Sequence, residues 1–101
     1  MTAKEMFEKL GYKLIPNVDI KRIIHNKDTR FNKNIIKAYE YCDERFNIFI
    51  HILFFDNNMV FKWNYSHQCG MFITFEELKA INKQIEELGW DNEWKRFKNK
   101  F

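Results

Sequence analysis

The run FNIFIHILFFDNNMVFKWNYSHQC, residues 46 to 69, constrains the fold more than any other part of the chain. It is dense in aromatic and β-branched residues, has no helical apolar repeat, and is broken once by the polar Asp56-Asn57-Asn58-Met59. That pattern reads as two strands joined by a hairpin turn. Asparagine tolerates positive φ, so Asn57 and Asn58 suit the centre of a two-residue type I′ turn. The turn sets a register in which Phe54 faces Phe61, Ile52 faces Trp63 and Ile50 faces Tyr65, giving one wholly apolar side. The other side pairs Phe55 with Val60, Leu53 with Lys62, His51 with Asn64 and Phe49 with Ser66. Such a hairpin turns its apolar side to a core and leaves the mixed side for something else.

The cover for the apolar side lies downstream, in ITFEELKAINKQIEELGW. Thr74 and Glu77 have the spacing of a capping box, Ile73 and Leu78 that of a hydrophobic staple, and Gly89 that of a helix stop. This predicts a helix over Phe75 to Leu88, with Leu78, Ile81, Ile85 and Leu88 as one apolar stripe and Glu76, Lys79, Lys83 and Glu87 outside it. The same punctuation opens the chain, where Thr2, Glu5 and Gly11 bound a short helix over Ala3 to Leu10.

Between helix and hairpin, Asn34 to Cys42 reads as a further strand, turned back by Asp43-Glu44-Arg45 into the strand beginning near Phe46. Tyr12 to Ile15 and Ile20 to His25 read as short edge strands separated by Pro16-Asn17, and the polar NKDTRFNKN as an exposed loop. The expected class is α+β, one domain over residues 1–101. A short N-terminal helix is followed by an antiparallel meander of three to four strands, up to five with the edge pieces. The C-terminal amphipathic helix packs on the sheet face bearing Ile48, Ile50, Ile52, Phe54, Phe61 and Trp63, and a short aromatic and basic terminal helix ends the chain.

Several chemistries find little purchase in this chain. A metal reading would use His67 and Cys69, with His51 and Cys42, and these lack the paired spacing of a zinc site. Strand alternation spreads them, so no metal ligand and no cofactor is expected. Glu40, Asp43, Glu44 and Asp56 fall at strand ends and turns, no glycine loop cradles a phosphate, and no nucleophile elbow occurs. No catalytic residue is assigned, and the expectation is a protein that is not an enzyme. No apolar run approaches the ~18 residues of a membrane span. Two cysteines and the lack of an apolar leader fit a reducing cytoplasm.

Binding is the remaining class. Phe49, His51, Leu53, Phe55, Lys62 and Asn64 share the mixed side of the hairpin, with Val60 and the neighbouring Tyr39 and Tyr41 enlarging it. Aromatic rings beside a lysine and a histidine would also suit single-stranded nucleic acid or a nucleotide. A net charge of +3 permits that ligand without demanding it. The tail DNEWKRFKNKF is a second binding candidate, with Trp94, Lys95, Arg96 and Lys98 at its centre. Lys21, Arg22, Lys27, Arg30 and Lys33 form a further basic region. The bland alternative is that helix, tail or a twin subunit covers the mixed side, the last making a homodimer.

The two ends, MTAKEMFEKLGY and ITFEELKAINKQIEELGW, resemble those of a family of small uncharacterised proteins of low-GC Gram-positive bacteria and their phages or integrated elements. The resemblance covers about a third of the chain and rests on capping and core positions. It implies a shared α+β fold and a mobile-element setting, and it carries over no site residue. Together these readings favour a small cytoplasmic, non-enzymatic binding protein that acts through a protein interface. The alternative is a nucleic-acid or nucleotide binding module, with counter-defence inhibition or nucleotide sequestration as its role.

Overall fold

Both capping boxes form. In the structure, a computed structural model that describes residues 1–24, 35–56 and 58–90, and of 21, 22 and 24 the backbone alone, Thr2 and Glu5 cap α1 (Ala3–Lys9) reciprocally. Thr74 and Glu77 do the same for α3 (Phe75–Leu88). Gly11 and Gly89 follow the helices with φ of 91° and 80°, the left-handed conformation that glycine enters without steric cost.

Five antiparallel strands follow one another across the sheet in chain order: β1 (Lys13–Leu14), β2 (Ile35–Asp43), β3 (Ile48–Phe55), β4 (Val60–Asn64) and β5 (Cys69–Gly70). A single 3-10 turn over Glu44–Phe46 and a left-handed Asn47 connect β2 to β3. The segment expected as an edge strand over Ile20 to His25 is instead helical through Ile24: α2 (Asn17–Ile24) crosses the sheet face opposite α1 and α3. Its Ile20 and Ile23 are one helical step apart and both buried, a spacing that an edge strand could not place on one side. Of the other predicted segments, His25 and the whole polar loop, Asn26 to Asn34, lie outside the described residues, as does the tail with Trp94, Lys95, Arg96 and Lys98.

The hairpin register differs from the expected one by a single residue. Phe54 pairs with Val60, Leu53 with Phe61, Ile52 with Lys62, His51 with Trp63 and Ile50 with Asn64. The Phe55 amide bonds the Met59 carbonyl, and the Asn58 amide bonds the Phe55 carbonyl. The connection therefore spans three residues, 56 to 58, with Asn58 left-handed at φ 65°. The sequence DNN serves this longer hairpin loop, with its last residue left-handed, as well as the two-residue turn. Since side chains alternate along a strand, one residue of slip moves every side chain of β4 to the opposite face.

The sheet thus has two covered faces. Tyr39, Ile50, Ile52 and Phe54 form the first core with Phe7 and Tyr12 from the N-terminal end and Ala80 and Ile81 of α3. The Phe7 and Tyr39 rings stack at 3.9 Å, and the Tyr39 hydroxyl donates to Gln84 at 2.5 Å. Leu78, expected within the apolar stripe, is 44% exposed, and the buried line of α3 runs instead through Glu77, Ala80, Ile81 and Gln84. On the second face, Ile20 and Ile23 of α2 cover Ile35, Ala38, Leu53 and Phe55. Between Ile35 and Lys37 the register of β2 against β3 shifts, which lets both Ile35 and Ala38 face α2.

Candidate functional site

The slip of β4 redistributes the predicted binding residues. Lys62 and Asn64 leave the mixed side for the face under α3, where both are buried and already engaged. The Lys62 ammonium bonds the Glu77 carboxylate at 2.9 Å and the Phe72 carbonyl at 3.1 Å. The Asn64 side-chain oxygen accepts from the Ser66 and His67 amides and holds the turn into β5. Leu53 and Phe55 keep their predicted face but lie beneath α2. Tyr39 and Tyr41 belong to the other face, opposite Ile52 and Ile50. In exchange, Phe61, Trp63 and Tyr65 arrive on the α2 side as a half-buried row, with Phe61 and Trp63 stacked at 5.5 Å and Tyr65 edge-on to Trp63 at 6.5 Å.

What α2 leaves uncovered on its side is a cleft of about 510 Å³. Phe49, His51 and Tyr65 supply the sheet wall, Lys13 to Pro16 and Glu40 one flank, and Asp19 and Ile23 the edge of α2. A volume of this size suits a small ligand or one large inserted side chain. The antiparallel register explains why polar groups gather there: Lys13 is the partner of Glu40, Glu40 of His51 and His51 of Trp63, so the four residues form one rung across the sheet.

The centre of that rung is an imidazole–carboxylate pair. His51 Nε2 lies 2.8 Å from Glu40 Oε2. Burial lowers the pKa of His51, and the hydrogen bond and charge of Glu40 offset only part of that effect. The ring is therefore neutral at neutral pH, and because a carboxylate only accepts, the proton sits on Nε2. The other nitrogen, Nδ1, is buried and has no hydrogen-bond partner among the described residues. The Tyr65 ring packs edge-on to the imidazole at 4.5 Å, and its hydroxyl is pushed up to about 12 by burial and by the charge of Glu40. Neither imidazole nitrogen is thus open to a bound molecule: one is committed to Glu40 and the other enclosed.

Of the six sheet residues singled out from the sequence, the structure brings Phe49 and His51 to the cleft. Glu40, Tyr65, Lys13 and the residues of α2 were missed. Glu40 looked like an acid near a strand end, and only the β2–β3 register sets it beside His51. The signal for α2 was legible: Pro16 ahead of the segment, Asp19 in its first turn, and isoleucines at positions 20 and 23. Cys42 and Cys69 are exposed and free, and His67 is exposed. No cluster of three or more His, Cys, Asp or Glu that could hold a metal ion occurs among the described residues. Nor is any described helix long and apolar enough to cross a membrane. No protein-family model, curated protein or solved structure matches this chain.

Proposed function

We propose that this chain is a small non-enzymatic binding protein that acts through a protein interface on the α2 side of its sheet. The observation that carries the reading is the continuity of the cleft with the half-buried row Tyr65, Trp63 and Phe61. Tyrosine, tryptophan and phenylalanine beside a pocket are the composition and shape of an interface centre, where a few desolvated anchors hold most of the binding free energy. The committed imidazole supports a binding role over catalysis, since a general base must offer a nitrogen to its substrate. The nucleotide alternative is weakened by the fate of Lys62, whose ammonium faces Glu77 and not the rings. A mobile-element origin, as the resemblance of the two chain ends implies, would make a host protein the natural partner.

The test is capture from cells of the native host, with Trp63→Ala and Phe49→Ala compared against Glu76→Ala on the far side of the molecule. The reading expects one protein that the wild type and the Glu76 variant retain and both aromatic variants lose. Equal capture by all four chains, or no protein held above background, would sink it.

A further inference from the structure

We infer that the cleft receives a guanidinium or ammonium side chain of the protein partner and seats it on the Glu40 carboxylate. This deepens the interface reading and rests on it. His51 fixes Glu40 Oε2, and because the imidazole is enclosed it acts as a positioning residue for the carboxylate. Glu40 itself is 41% exposed at the cleft, and Oε1 has no partner among the described residues. A carboxylate held in one orientation has already lost the rotamer freedom that a charged hydrogen bond would otherwise cost.

The surroundings select the sign of the ligand. Glu40 presents its outer oxygen at the cleft, so a phosphate or carboxylate seated there would meet a like charge. A cation would meet that carboxylate and the rings of Phe49 and Tyr65, which attract positive charge through their faces and accommodate an alkyl stem. Lys13, the neighbour of Glu40 on the rung, is the competing cation, and an incoming side chain displaces its influence. The aromatic row beyond the cleft points to a polypeptide source, because a chain seated at Glu40 can lay apolar side chains along Trp63 and Phe61.

The experiment is a titration of isotope-labelled protein, read at the ring resonances of His51 and Tyr65. The probes are acetyl-Arg-Leu-amide, acetyl-Glu-Leu-amide and spermidine. The arginine peptide should shift both rings with a dissociation constant on the order of 1 mM, the affinity expected of a single anchored side chain. The glutamate peptide should leave them in place. Glu40→Gln keeps an acceptor for His51 and should weaken the arginine peptide at least about tenfold, the loss of one charge-assisted hydrogen bond. Lys13→Ala should tighten it. Equal shifts with the glutamate peptide, or indifference to Glu40→Gln, would overturn the inference, and tighter binding of spermidine would overturn the polypeptide source. Capture of a partner that needs Trp63 but tolerates Glu40→Gln would leave the interface standing and remove only the cation. Loss of the arginine peptide's effect together with Trp63-independent capture would remove both.

Discussion

Glu77 joins three parts of the chain through one carboxylate. It closes the capping box with the Thr74 amide, accepts the Tyr12 hydroxyl at 2.6 Å, and pairs with Lys62 in a buried ion pair. Burial alone would raise its pKa, but the Thr74, Tyr12 and Lys62 contacts outweigh that and bring it below the ordinary value. Lys62→Ala leaves this charge buried with fewer partners and should cost about 3 kcal/mol, measured by urea unfolding. His51 contributes with the same proton preference at higher pH. Its folded pKa lies below its unfolded value of 6.5, so the unfolded chain binds the extra proton first. Its contribution to stability is complete above pH 6.5 and is lost as the pH falls from there through the folded pKa. His51→Gln should therefore flatten the fall in unfolding free energy just below pH 6.5. The later fall belongs to Glu77, whose contribution is present above its unfolded pKa of 4.5 and is lost as the pH drops through the lowered folded value, and it should persist in that variant.

At the scale of elements, the loop between β3 and β4 decides what each face of the sheet contains. Its three residues put Lys62 under α3 and Trp63 beside His51. Replacing Asp56-Asn57-Asn58-Met59 by Asn-Gly imposes a two-residue turn directly between Phe55 and Val60, and the new register would push Trp63 into the α3 core and Lys62 away from Glu77. The expected result is loss of the cooperative thermal transition in circular dichroism, against an unchanged transition when Asn58 alone becomes glycine, which suits its positive φ. The helices were legible because their signals are local: Thr2, Glu5, Thr74, Glu77, Gly11 and Gly89 act within a turn of the residues that they cap. The register was not, since DNN satisfies two loop lengths almost equally and the choice is made by the partners that each length brings together.

On the scale of the whole molecule, the sheet carries cover on both faces, with α1 and α3 on one and α2 on the other. The Ala3 amide bonds Glu87 at 2.7 Å, so α1 is docked to α3 as well as to the sheet. With Ile35, Ala38, Leu53 and Phe55 already under α2, a twin subunit is not needed to bury them. The 12.5 kDa chain should sediment as a monomer into the high micromolar range, and a concentration-dependent dimer that Trp63→Ala dissolves would assign the interface to a second copy instead.

Local composition was enough to determine that this chain forms α+β structure, where α1 and α3 begin and end, and that residues 46 to 65 contain a hairpin with an aromatic surface. Caps, stops and strand propensity depend on neighbours a few residues apart, and those are written in order along the chain. The tertiary structure decided which side chains share a face, that Ile20 and Ile23 belong to a helix over that face, and that Glu40 meets His51 in a cleft. These follow from pairing between strands, where one residue of register exchanges Lys62 for Trp63 and only the packing of both faces at once selects between them.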